Sequence, residues 1–191
     1  WYSQAGTPEV NAEGKYDAKN KTYTLKLSQN IPDTAGQSDK KPMHIPVAFG
    51  LVGKEGQDLP LSIKKETTQV LDLTKKSQRF KFEGIEEEPV PSILRNFSAP
   101  VKLTTDLTDE QLRFLMKHDS DGFNKWEAGQ KLYLSEINAI IDGGATEPSE
   151  GLLESVGHLI EQGIEGNDDK ALLARALSLP DISIIGQSRE I

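Results

Sequence analysis

Three histidines, two carboxylate clusters and a tryptophan at helical spacing are the residues of this chain whose chemistry could carry a function. The histidines are His44, His118 and His158. An imidazole binds metal or moves protons near neutral pH when a second ligand or base stands beside it. Zinc peptidases show this as His-Glu-x-x-His, two imidazoles one helical turn apart. His158-Leu159-Ile160-Glu161 lacks the second histidine. Each histidine is therefore expected in a structural role: His44 entering a strand, His118 at a helix C-terminus, where positive charge is favoured, and His158 within a helix.

Asp119-Ser120-Asp121-Gly122 resembles the opening of a calcium-binding EF-hand loop, which needs glycine sixth and glutamate twelfth. Here glycine is fourth, and helix capping accounts for Asp121. Glu86-Glu87-Glu88 stands before Pro89 and reads as a solvated loop rather than an acid–base pair. Trp126 is expected in a buried apolar stripe rather than on a ligand-reading surface. Cysteine is absent, which removes disulfides, thiolate nucleophiles and cysteine metal sites and fits a reducing, cytoplasmic compartment. There is no Gly-x-Ser-x-Gly elbow and no glycine-rich phosphate cradle. No catalytic, metal or substrate-binding residue is assigned.

The elements that must position these residues change character near residue 105. Before it, apolar residues recur at every second position, the period of a half-buried strand. Tyr23, Leu25 and Leu27 alternate with polar residues, and so do Ile45, Val47, Phe49 and Leu51 across a run in which Pro46 predicts an edge strand. Leu71 with Leu73, Phe80 with Phe82, Ile93 to Phe97, and Val101 with Leu103 give four shorter strands. Turn residues at 33–41, 53–58, 86–91 and 98–100 separate them. About seven strands at this spacing predict an Ig-like antiparallel β-sandwich over residues 1–104.

From Thr108 the period becomes helical. Thr108 with Gln111 has the capping-box form ahead of Leu112, Leu115 and Met116. Asp121 caps a longer helix whose expected inward stripe is Phe123, Trp126, Tyr133, Leu134, Ile137, Ile140 and Ile141, stopped by Gly143-Gly144. Ser149 opens a third helix with Leu152, Leu153, Val156, Leu159 and Ile160 inward. A fourth runs from about Asp168 to Leu179 with Leu172, Leu173, Ala176 and Leu177 inward, closed by Pro180. Residues 105–191 thus predict helical hairpins, the truncated N-terminal part of an α-solenoid-like domain. Trp1 is no initiator residue, and the apolar Ile182-Ser183-Ile184-Ile185 has no following layer, so both ends are expected to be cuts in a longer polypeptide.

Charge follows the same division. Residues 1–104 carry 15 Lys/Arg against 13 Asp/Glu, and residues 105–191 carry 7 against 17. The acidic half repels phosphates and the other half lacks a basic stripe, which argues against nucleic acid. The apolar runs are too short for a membrane span.

Four segments carry a family resemblance: Trp1-Tyr-Ser-Gln-Ala-Gly-Thr-Pro8, Pro89-Val-Pro-Ser-Ile-Leu94, Phe97-Ser-Ala-Pro-Val-Lys-Leu103 and Asp121-Gly-Phe-Asn-Lys-Trp-Glu-Ala-Gly-Gln130. Together they resemble the bacterial aminopeptidase N family, from Trp1 to about Leu179. The resemblance implies a zinc-dependent exopeptidase of four domains, with this chain as the β-sandwich third domain and the start of the helical fourth. It implies a parent that removes N-terminal residues from peptides, using zinc bound in a catalytic domain. The family's His-Glu-x-x-His and Gly-Ala-Met-Glu-Asn motifs are absent here. The expected role is that of an inactive, non-catalytic linker between the catalytic domain and the helical domain enclosing a substrate chamber, with the parent's other domains as partners. The competing reading is a free-standing Ig-like binding module with a helical adaptor.

Overall fold

The computed structural model describes residues 3–62, 65–166 and 169–189. Trp1 and Tyr2 of the first motif, the expected helix start at Asp168, and the last two residues, Glu190 and Ile191, lie outside that set. The chain divides into two compact units, Trp1–Leu107 and Thr108–Ile191.

The first unit is a two-sheet sandwich. Strands β1 (Glu9–Asp17), β2 (Thr22–Asn30), β5 (Ser77–Glu83) and β7 (Lys102–Thr105) form a four-stranded sheet in the order β5-β2-β1-β7. Strands β3 (Ile45–Val52), β4 (Thr68–Leu73) and β6 (Val90–Ile93) form the second, in the order β4-β3-β6. Neighbours are antiparallel except β1 and β7, which run parallel. The two inner faces meet at Phe49 of β3, whose ring stacks on Phe82 of β5 at 4.9 Å and on Tyr23 of β2 at 6.2 Å. Around it Leu25, Leu27, Ile45, Val47, Leu51 and Leu73 are fully buried. At about 25 cal/mol per Å² of apolar surface removed from water, this layer is the main source of the unit's stability.

Three strand expectations need correction. β1 carried no expected strand, because its inward positions are Val10, Ala12 and Gly14, two of them too small to register as apolar periodicity. A Cβ on Gly14 would lie 2.0 Å from the Tyr23 hydroxyl, so the aromatic ring of β2 occupies the space that a larger β1 residue would fill. Second, β3 is central, not an edge. Pro46 is tolerated because β6 pairs only with Phe49–Val52 and does not extend alongside it. Third, the segment 93–97 is not a strand. β6 ends at Ile93, and Arg95–Phe97 form a 3₁₀ turn with positive φ at Leu94, Asn96 and Phe97.

The second unit contains helices α1 (Asp109–His118), α2 (Gly122–Ile141), α3 (Glu150–Glu165), α4 (Lys170–Ala176) and α5 (Ile182–Ser188). Each N-terminus is capped as its sequence dictates. Thr108 and Gln111 form the reciprocal capping box, and Asp121, Ser149, Asp169 and Asp181 accept hydrogen bonds from first-turn N–H groups.

The packed face of α2 differs from the expected stripe. Asn124, Ala128, Gly129, Leu132 and Tyr133 are buried, whereas Phe123, Trp126 and Ile137 are half-buried and Ile141 is exposed. Small residues mark the contact because α4 approaches closely. A Cβ on Gly129 would already sit 3.4 Å from the Ala176 carbonyl oxygen. From the same face Tyr133 Oη donates to that carbonyl at 3.2 Å and Gln130 Nε2 donates to Ser178 O at 2.7 Å, satisfying carbonyls left open at the end of α4. On α3 only Leu152, Ser155 and Leu159 are buried, and Leu153 and Ile160, expected inward, are exposed, as is Leu172 of α4. The apolar tail is the helix α5, with Ile182 and Ile184 exposed.

Candidate functional site

A buried, multiply hydrogen-bonded polar group in the sandwich was not singled out by sequence. Arg95, 2% exposed, lies in the 3₁₀ turn that folds back over β3. Its guanidinium holds both Asp58 oxygens, Nη2 to Oδ1 at 2.6 Å and Nη1 to Oδ2 at 3.1 Å. Nε donates to Ser92 Oγ at 2.8 Å and Nη1 to Thr68 Oγ1 at 2.8 Å. Gly50 of β3 makes room for it, since a Cβ there would lie 2.2 Å from the guanidinium carbon. The left-handed backbone on either side of Arg95 costs energy for residues other than glycine and persists only where surrounding contacts over-determine it. This fork supplies those contacts. With every oxygen of Asp58 engaged by Arg95, the pair is a clamp joining β6, β4 and the loop at Asp58, not an acid or base waiting for substrate.

The carboxylates of the Glu86–Glu88 run are separated by their partners. Glu86 pairs with Lys21, and Glu87 Oε1 accepts from Gln57 Nε2 at 2.9 Å, closing the 53–57 turn. Asp119 and Asp121 are buried capping groups. Asp119 Oδ1 accepts from the Asp121 N–H at 2.9 Å, and Asp121 Oδ1 accepts from the Asn124 N–H at 2.9 Å. His44 meets Asp72 across the β3–β4 pair at 2.6 Å, with both side chains largely exposed.

Two histidines far apart in sequence come together. The rings of His118, closing α1, and His158, in the middle of α3, have centroids 5.4 Å apart, and Phe114 packs on His118 at 4.9 Å. Burial, then His158, then Lys117 and Lys125 hold the His118 pKa below the ordinary imidazole value. Trp126 packs between Phe123 at 5.7 Å and the Arg175 guanidinium, 5.5 Å from the indole centroid.

The outer face of the four-stranded sheet carries an open trough of about 800 Å³ with Lys26, Lys76 and Lys102 among its lining residues. Its carboxylate, Glu9, accepts from Asn30 Nδ2. Among the described residues, no group of three His, Cys, Asp or Glu side chains could hold a metal ion. A catalytic zinc needs three protein ligands and an open position, a set the described residues do not supply. No helix among the described residues is long and apolar enough to cross a membrane.

Comparison with known proteins accounts for both units. Residues 6–106 match the domain family described as "Domain of unknown function (DUF3458) Ig-like fold", and residues 109–190 match "Domain of unknown function (DUF3458_C) ARM repeats". The chain is 35% identical over 193 residues to aminopeptidase N of Escherichia coli strain K12, covering 100% of this chain and 22% of that protein. It is 39% identical over 165 residues to aminopeptidase N of Haemophilus influenzae, covering 84% of this chain and 19% of that protein. To aminopeptidase N of Caulobacter vibrioides it is 37% identical, covering 100% of this chain and 21% of that protein. The chain thus spans about a fifth of the length of the curated relatives it matches. Its fold matches a segment of the crystal structure of Legionella pneumophila aminopeptidase A in complex with aspartic acid, with TM-score 0.78, 24% identity, and coverage of 100% of this chain and 22% of that one.

Proposed function

Since the chain belongs to the family of the Ig-like DUF3458 domain, with the ARM-repeat DUF3458_C domain following it, we propose that it is a non-catalytic, architectural part of a zinc aminopeptidase. The observation that carries this reading is its alignment along its whole length with one contiguous fifth of aminopeptidase N sequences. In such a parent, residues 1–104 serve as the sandwich and residues 105–191 begin the helical domain. The parent removes N-terminal residues from peptides, with zinc held by the catalytic domain, in a cytoplasmic setting. This segment links that domain to the helical wall of the substrate chamber.

The chain's own residues suit a spacer. β3 is buried on both faces, its inner face by the aromatic layer and its outer face at Gly50 by the Arg95 clamp. A strand fixed from both sides transmits position rather than chemistry. The test is Arg95→Met in the full-length parent. Removing one member of a buried pair costs about 3–5 kcal/mol, so the melting temperature should fall while zinc content and KM stay at wild-type values. An unchanged melting temperature with lost turnover would assign Arg95 to the chemistry and contradict the architectural role.

A further inference from the structure

Among the described residues, His118 and His158 bring two imidazoles together. The contact joins two helices, α1 and α3, and does not depend on the aminopeptidase reading. Ring contact alone accounts for two aromatic side chains 5.4 Å apart. It does not account for the polar atoms. His158 Nε2 is buried without a hydrogen-bond partner, and so is Gln162 Oε1. His158 and Gln162 are four residues apart on α3, so they share a face one turn apart. Buried polar atoms are nearly always satisfied, and two orphans on one face, one on an imidazole beside a second imidazole, call for partners that the chain's own side chains do not supply.

A metal ion bridging the two rings is one partner that this separation accommodates. With metal–nitrogen distances of about 2.0–2.1 Å and a tetrahedral angle, two coordinated imidazoles have ring centroids roughly 5.2 Å apart. The observed separation is 5.4 Å. We propose that His118 and His158 form a two-imidazole chelating site for a divalent transition-metal ion, with Gln162 Oε1 on the same face as a ligand or a hydrogen-bond acceptor for metal-bound water. Imidazole selects copper, nickel and zinc over magnesium or calcium, and copper binds most tightly by the general affinity order. With two histidines rather than three protein ligands, the site binds weakly and reversibly and is structural, tying α1 to α3. Lys117 on α1 and Lys125 on α2 act on His118 electrostatically, and their charge weakens cation affinity without removing the ligands.

The experiment uses the whole 191-residue chain, stripped of metal and titrated with Cu²⁺ alone. Calorimetry should show one saturable site per chain. His118→Ala and His158→Ala should each weaken it at least tenfold, and His44→Ala should leave it unchanged. Nuclear magnetic resonance of the wild type gives a reading independent of any variant's folding. Substoichiometric Cu²⁺ should broaden the ring signals of His118 and His158 before those of His44. Absence of saturable binding below about millimolar Cu²⁺, undiminished binding in both variants, or broadening of His44 first would each overturn the site.

Discussion

At the residue scale, His118 is held where a charged imidazole is disfavoured, first by burial and then by His158, Lys117 and Lys125. In the unfolded chain it titrates at about 6.5, and in the folded chain lower. Between those values the unfolded state binds more protons. Its contribution to stability is therefore complete above the unfolded pKa and is lost as pH falls below that value towards the folded one. In buffer containing a chelator, thermal melts from about pH 7.5 to about pH 5 should show wild type losing stability more steeply than His118→Gln. Parallel curves would mean that the imidazole gains its proton without penalty. Sequence separated His118 from His158 because nothing in either helix's periodicity says that a helix end will meet another helix's midpoint. Asp121 was legible because capping is local, read from its own neighbours.

At the element scale, what stayed hidden was contact made through small residues. β1 was invisible because its buried side is Val10, Ala12 and Gly14. Tyr23, buried against Phe49, fills the missing volume, and its burial raises its pKa. Gly14→Ala should therefore overpack the sandwich and cost about 1–3 kcal/mol by denaturant titration. The loss should shrink in the Gly14→Ala, Tyr23→Leu double variant relative to Tyr23→Leu alone. A Gly14→Ala effect within about 0.5 kcal/mol, ordinary for a surface position, would mean that the ring moves aside freely. The buried face of α2 was missed for the same reason. Large apolar residues predicted one stripe, but close approach of α4 selected Ala128 and Gly129.

Trp126 is displaced by that choice to a half-buried position over Arg175. Its truncation to alanine should then cost less than the about 3–5 kcal/mol of a fully buried aromatic. A double-mutant cycle with Arg175→Ala should give a coupling of about 0.5–1 kcal/mol, the size of an exposed cation–π pair. Zero coupling would show that the stacking contributes nothing. Turn and cap chemistry, by contrast, was readable at several points. The 53–58 turn, the capping box at Thr108 and the stop at Gly143 fall where the sequence puts them.

At the scale of the whole molecule, the chain joins a sandwich core built on Phe49 to a helical unit whose exposed Leu153, Ile160, Ile164 and Ile182 leave apolar surface facing outward. The fold class was legible because strand and helix periods change at one point in the chain. The family was legible only through the four resembling segments, since the carboxylate clusters cap helices, close turns or clamp a strand. The proposed role is architectural: this segment is to contribute structure to an aminopeptidase and no catalysis of its own. Its most direct test is the initial rate of alanyl-anilide hydrolysis by the purified chain, with and without added zinc, beside an intact aminopeptidase N as positive control. The account predicts no turnover above buffer under either condition, because no general base and no three-ligand metal site is assigned to the chain. Turnover that co-purifies with the chain and is abolished by a chelator would contradict it.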